Sequence, residues 1–455
     1  MGEFSNDARD DLPTPSSSSV SMREQRETEE TVLGLFREFL AEHSGMKDYK
    51  DEAIRLHREK HIDWLHKAIY GIPRQFSGLD ASRPWFVFWI CHALELLRDD
   101  NFIEDPEFRK RMVTFLTQCI CPRHGGFGGG PKQLSHMATT YAGVAALCIG
   151  ESFAAANLDR ELMYRFLLAR KDPKTGGFSM HADGELDIRG TYCAIAVASM
   201  LQILTPELAE RVDEYVLSHQ SWDGGLSGEP GLEAHGGYSY CGFAALAILG
   251  CAVDTLDVER LLHWLCHRQM SLEGGYQGRT NKLVDSCYSF WQGATFALVR
   301  HAYEFAQASE GGLSEDGVGE VGLRVLPDVP KGHSWTQPEP LQMYVFLACQ
   351  DEERGGLRDK PGKRPDFYHT CYSLSGVSVN QSVVQADGRV VRNVVGNPET
   401  NDLQQIDPFY NVGLPKSQRM REFFAGLPPF RSPTRGEVGQ EGAGVVAWRK
   451  RFRFQ

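Results

Sequence analysis

One unit recurs along this chain and limits what it can fold into: two glycines and an apolar residue, a polar loop, then an apolar run carrying a tyrosine. It reads Gly125-Gly126-Phe127 leading to Tyr141, Gly176-Gly177-Phe178 to Tyr192, and Gly224-Gly225-Leu226 to Tyr240. It returns as Gly274-Gly275-Tyr276 to Tyr288 and Gly355-Gly356-Leu357 to Tyr372. The first four copies are about 50 residues apart, and the last gap is longer by about 30, which implies an insertion. Repeats of this period build an array or a closed ring, because one unit cannot bury its apolar face alone. A length of 455 residues would allow two or three domains, but the repeat predicts one repeat domain with tails.

Each unit supplies two helices. After each glycine pair comes a helix rich in small residues and apolar all round, such as TTYAGVAALCIG, and therefore buried. An amphipathic helix such as DVERLLHWLCHRQ follows, with a polar outer face. Alternating strands are scarce. The fold class expected is all-α: an α/α toroid of two concentric rings of helices. Residues 1–25 are polar and rich in Ser and Pro, and are expected to be disordered. The toroid is assigned to 26–430, with a surface insertion at 308–337 rich in Gly, Glu and Asp, and 431–455 is expected to be a flexible tail. A helix is expected from Glu27, with Val32, Leu35, Phe36 and Leu40 on one face, and a small hairpin around Asp387-Gly388.

The net charge of −12 argues against a nucleic-acid partner, so an anionic ligand must meet a local basic patch. No stretch approaches the roughly 20 apolar residues of a membrane span. The first residues carry no secretory apolar run, and the last carry no lipidation box. Most of the eleven cysteines sit in apolar runs, as reduced core residues of a cytoplasmic protein would.

Chemistry concentrates in two segments. Aligned on Tyr288 and Tyr372, they carry Asp285 and His369 three residues before the tyrosine. With Cys287 they form an Asp, Cys, His set, the donors of a zinc site whose fourth position is open to substrate. The bland alternative is a capping Asp beside a core Cys. Arg189 also lies three residues before its tyrosine, and His136 and His235 lie five before theirs. In a toroid such positions surround one central cavity. Arg279 and Lys282, in the loop before the proposed ligands, could join His235 and Tyr288 around a diphosphate; a lone Arg-x-x-Lys is otherwise a solvated loop. Asp359-Lys360 and Lys363 form a second charged loop. Trp85 and Trp89, at i,i+4 in a helix opened by Ser82 and Pro84, are either core aromatics or a wall for a long apolar ligand. Cys119 and Cys121 with His124 lack a second half and are rejected as a metal site.

SRPWFVFWI, EAHGGYSYCG, GRTNKLVDSCYSFWQG and DKPGKRPDFYHTCYSLSG are long and specific. Through them the chain resembles the farnesyltransferase β-subunit family over about residues 80–376, plus Asp407-Pro408-Phe409-Tyr410-Asn411. The resemblance implies an obligate heterodimer with a separate α subunit. It implies transfer of farnesyl from farnesyl diphosphate to the cysteine of C-terminal Cys-a-a-X boxes, as on small GTPases. It implies zinc on Asp285, Cys287 and His369, and diphosphate on His235, Arg279, Lys282 and Tyr288, with Mg2+ near Asp359. Trp85, Tyr192, Cys241, Trp291 and Tyr372 would line the isoprenoid pocket, and Arg189 would hold the peptide carboxylate through water. Ser82, Trp85, Trp89, His136, Ala138 and Tyr368 would shape the side-chain pockets of the box. The nearest rival is the β subunit of type I geranylgeranyltransferase; bulky Trp85 and Tyr372 at the pocket floor favour C15 over C20. A terpene cyclase would want an Asp-x-Asp-Asp motif, which is absent, and a silent binding toroid would not need the Asp, Cys, His set.

Overall fold

A computed structural model describes residues 19–433 apart from 47, 100–102, 311–334 and 385–389. An N-terminal helix, α1 (Val20–Glu42), precedes six helix pairs. These are α2 (Arg58–Tyr70) with α3 (Arg83–Leu96), α4 (Pro106–Cys119) with α5 (Met137–Ile149), and α6 (Arg160–Arg170) with α7 (Ile188–Met200). Next come α8 (Val212–Leu217) with α9 (Gly236–Ile248), and α10 (Val258–Cys266) with α11 (Tyr288–Glu310). Last is α12 (Pro338–Met343), which runs on as a π-helical stretch over Tyr344–Cys349, with α13 (Phe367–Asn380). The second members pack α3 on α5, then α7, α9, α11 and α13, and α13 returns to α3. Two concentric rings are the result, as expected. The inner helices are apolar on every side because they are enclosed by neighbours and by the outer ring.

The glycine pairs explain the repeat. The first glycine of each pair has a left-handed φ, such as +105° at Gly224. A Cβ there would lie 2.3 Å from the carbonyl oxygen of Arg260, in the next outer helix. Its partner Gly225 packs on Trp264 of that helix, where a Cβ would fall 2.7 Å from the indole. The pairs at 125, 176 and 274 meet Leu162, Arg211 and Pro340 in the same way, and Gly355 meets Lys60 of α2, which closes the ring. No side chain fits at these approaches.

The closure is also polar. His61 of α2 is buried; its Nδ1 accepts the Gly356 N–H at 2.9 Å, so its Nε2–H donates to Gln350 Oε1 at 2.8 Å. Burial, opposed by the bond to Gln350, lowers His61 from 6.5 to about 4. Between those values the unfolded chain takes up a proton that the folded ring refuses, so stability falls as pH falls. We expect a loss of about 3 kcal/mol between pH 6.5 and pH 4, read by urea denaturation. His61→Leu, which has nothing to titrate, should flatten that part of the profile.

Outside the rings, β1 (Ser382–Val384) pairs antiparallel with β2 (Val390–Arg392), which is the hairpin expected after Gly376; its turn lies outside the described residues. A second small pair, β3 (Ile406–Asp407) with β4 (Val412–Gly413), leads into α14 (Leu414–Ala425). Several boundaries differ from expectation. Helix α1 begins at Val20 because Ser19 caps it, its hydroxyl accepting the Met22 N–H, so order starts inside the segment expected to be disordered. On that helix Val32 is buried while Leu40 is exposed. Helix α11 continues to Glu310, and residues 311–334 of the expected insertion and 434–455 of the tail lie outside the described residues.

Candidate active site

The glycine-pair geometry sets a register different from the one the tyrosines suggest. The Phe127 N–H donates to Thr140 Oγ1, 13 residues on, and Phe178 to Thr191, Leu226 to Ser239 and Leu357 to Thr370 repeat that separation. The same 13 from Tyr276 gives Ser289. The positions equivalent to Tyr141, Tyr192 and Tyr240 are therefore Phe290 and Cys371, not Tyr288 and Tyr372. In this register His136, Asp187, His235, Asp285 and Asp366 are equivalent, all at the mouths of inner helices. Each accepts a backbone N–H, from Ala138, Arg189, Gly237, Cys287 and His369 respectively. Asp285 thus corresponds to Asp366, and His369 lies almost one turn deeper. The two predicted ligands meet because α11 and α13 are neighbours, not because they are equivalent.

They do meet. One donor atom each from Asp285, Cys287 and His369 lies within 4.8 Å of the others, the one such cluster of three or more among the described residues. Asp285 and Cys287 sit in the turn just before α11, where residues two apart can converge. His369 Nδ1–H donates to Asp366 Oδ2 at 2.6 Å, which leaves Nε2 to face Asp285 Oδ1 at 3.4 Å. A carboxylate that fixes the tautomer is the usual support of a metal-binding imidazole. Burial works against the charged ring, but Asp285 and Asp366 raise His369 to about 10. Burial, and then the Asp285 charge, push the Cys287 thiol well up. A thiol, an imidazole and a carboxylate left in this mutual conflict fit a divalent cation, which reverses both preferences.

Beside the cluster opens a cavity of about 410 Å³ at the axis of the inner ring. Its wall holds the predicted Trp85, Trp89, His136, Ala138, Arg189, Tyr192, His235, Cys241, Tyr288, Trp291, Tyr368 and Tyr372. Aromatic rings follow one another around it: Trp85 and Trp89 stack at 5.6 Å, Trp89 meets Tyr368 at 5.8 Å, and Tyr368 meets Tyr372 at 4.7 Å. Tyr372 stacks on Trp291 at 4.5 Å, and the chain continues through Tyr240, Tyr192 and Tyr141 back to Trp85. Trp85 and Trp89 are therefore cavity wall, not merely core.

At the mouth, the His235 ring accepts the Gly237 N–H at Nδ1, so its Nε2–H donates to the Tyr288 hydroxyl at 2.9 Å. Burial and the nearby Arg279 lower His235 to about 4, so the ring is neutral near pH 7 and the Tyr288 proton is free to point outward. Gly278 lies under the Tyr288 ring, where a Cβ would sit 2.0 Å from Cζ. Arg279 pairs with Glu233 at 2.9 Å. Lys282 is exposed on the same loop and forms no part of the cavity wall. Asp359 pairs with Lys360, and its carbonyl accepts the Ser286 N–H at 2.9 Å, which ties this loop to the Asp285–Cys287 turn. Ser82 occupies the cap position of α3 without a side-chain cap bond and outside the cavity wall.

Sequence reasoning missed Tyr141, Tyr240, Phe290 and Cys193 as wall residues. The repeat register contained that signal, since they fall at or next to the positions of Tyr192 and Cys241. It also missed Asp366 and Glu233, which act through His369 and Arg279 and have no motif of their own.

Residues 56–412 match the family described as the prenyltransferase alpha-alpha toroid domain. The chain is 39% identical over 447 residues to the protein farnesyltransferase subunit beta of Arabidopsis thaliana, covering 90% of each chain. It is 41% identical over 407 residues to that of Pisum sativum, covering 81% of this chain and 95% of the relative. Its fold resembles the solved Candida albicans protein geranylgeranyltransferase-I complexed with GGPP, with a TM-score of 0.61 at 18% identity, covering 81% of this chain and 99% of that one. With its closed double ring and its aromatic axial cavity, the chain belongs to the prenyltransferase alpha-alpha toroid family, and within it to the protein farnesyltransferase β subunits, and is a prenyl-transferring enzyme subunit.

Proposed function

We propose that this chain, as the catalytic subunit of a cytoplasmic heterodimer with a farnesyltransferase α subunit, moves farnesyl from farnesyl diphosphate to the cysteine of a C-terminal Cys-a-a-X box. The observation that carries this reading is the Asp285, Cys287, His369 cluster at the edge of an aromatic cavity. The Tyr368 hydroxyl touches Cys287 and also lines that cavity, so a thiol held at the cluster lies beside a chain held within. Zinc suits the cluster, and there it would keep the substrate thiol ionised near neutral pH.

The chain's own residues do the rest. The aromatic wall takes the isoprenoid by apolar contact and excludes water. A sulfur lone pair forms the new C–S bond at C1, and the electrons of the C1–O bond leave with the diphosphate. Negative charge grows on the bridging oxygen, where the Tyr288 proton can be donated and where Arg279, released from Glu233, and Lys282 add positive charge. Neutral His235 holds Tyr288 in that orientation. Asp359, paired with Lys360 on the loop tied to the Asp285–Cys287 turn, would be the carboxylate to hold Mg2+, which would add positive charge beside the departing diphosphate. Arg189, which lines the cavity and pairs with Asp187, would meet the peptide carboxylate. Trp85 and Tyr372 limit the depth and favour C15 over C20.

The test is transfer to a Cys-a-a-X peptide by the co-expressed heterodimer with C15 and C20 diphosphates. Preference for C20 would make the chain a geranylgeranyl enzyme and sink the depth argument. Tyr288→Phe should lower kcat about 100-fold with little change in KM, because its hydroxyl acts on charge that exists only in the transition state.

A further inference from the structure

The bottom of the cavity is held by a segment that belongs to none of the repeats. The Tyr141 hydroxyl donates to the Tyr410 carbonyl at 2.7 Å, Tyr192 to Phe409 at 3.0 Å, and Tyr240 to Pro408 at 2.9 Å. Three successive inner helices thus take three successive carbonyls of one turn, in reverse order. The three tyrosine rings line the cavity, so the turn decides where they stand.

The turn is itself fixed by Asp407, which is buried. Its Oδ1 accepts the Phe409 N–H at 2.9 Å, and its Oδ2 accepts the Ser417 hydroxyl of α14 at 2.6 Å. Its carbonyl accepts the Asn411 N–H at 2.9 Å. At the turn lies a second cavity of about 400 Å³, lined by Asp407, Pro408 and Phe409 and by Phe296 and Val379 among others. The turn therefore holds three wall tyrosines of the first cavity while its own residues line the second.

We propose that the Asp407–Asn411 turn is the positioning element that sets the depth of the prenyl pocket, and that Asp407 is the residue that keeps it in place. This rests on reading the axial cavity as the isoprenoid site. Hydroxyl bonds to main-chain carbonyls orient the rings without adding bulk, so the limit on chain length comes from the turn as well as from the size of the rings. Loosening the turn lets the rings shift and admits a longer chain.

The experiment measures kcat/KM for C15 and C20 diphosphates with one Cys-a-a-X peptide, using the chain co-expressed with a farnesyltransferase α subunit, alongside thermal melts. Asp407→Ala should raise the C20-to-C15 ratio about tenfold or more, the scale on which apolar pockets discriminate by size. Asp407→Asn keeps an acceptor for the Phe409 N–H and should return the ratio towards that of the wild type. Phe409→Ala removes a side chain of the turn that lines the second cavity, should raise the ratio as well, and decides the matter where Asp407→Ala does not fold. An unchanged ratio in the folded variant, with both activities lowered in equal proportion, means a merely structural turn and overturns the proposal. A wild-type heterodimer that transfers no C15 group overturns the reading of the cavity instead.

Discussion

Cys287→Ala is expected to abolish stoichiometric zinc and to lower C15 transfer by more than the roughly 100-fold that loss of a residue hydrogen-bonded to a metal ligand can cost. The thiol is the softest donor of the cluster, and it is buried against Tyr368 and beside Asp285. Without it, Asp285 and His369 remain as a hydrogen-bonded ion pair, which satisfies each of them and leaves little reason to hold a cation. Metal analysis of the purified heterodimer and peptide transfer, measured together, check this. Fold and lipid binding should survive, because the cavity wall is built from other residues. A variant that keeps both zinc and wild-type turnover would remove Cys287 from the site.

Glu95→Ala should cost about 3–5 kcal/mol of stability, the usual scale for breaking a buried ion pair from one side. Glu95 lies on α3 and is 1% exposed. Its Oε2 accepts the His92 Nδ1–H at 2.9 Å and the Gly413 N–H at 3.0 Å, and its Oε1 faces Lys416 Nζ at 3.4 Å. Burial opposes its charge, yet His92 and Lys416 hold the carboxyl below its ordinary value. Alanine takes the Glu95 carboxylate away from the buried Lys416 ammonium, and it removes the acceptor of the Gly413 N–H. Chemical denaturation of the heterodimer measures the loss. The double variant Glu95→Ala with Lys416→Met should recover part of it, since the buried ammonium is then gone.

Most of the architecture was legible because the repeat is a packing rule. A glycine pair marks where a loop must touch the next outer helix, and the chain states that rule five times, from Gly125 to Gly355. The sixth inner helix, α3, has no pair of its own before it, so the closure of the ring onto Lys60 and Trp64 of α2 is known only once the chain is folded. The three residues that cluster were singled out through an alignment on tyrosines that does not hold in space. Tyr288 and Tyr372 are displaced from the register kept by the loop-to-helix bonds at Thr140, Thr191, Ser239 and Thr370.

By itself the sequence determined the two rings, the cavity at their axis and the three residues that cluster beside it. Those follow from short-range rules of spacing, helix entry and donor chemistry. Only the tertiary structure decided that Asp366 orients His369, that Glu233 holds Arg279, and that the Asp407–Asn411 turn supports the cavity from below. Glu233 lies 46 residues from Arg279, and Phe409 lies 217 from Tyr192. Such pairs carry no local pattern. They are fixed by the closure of the ring, which sets residues distant in the chain opposite one another, and a linear reading has no term for that.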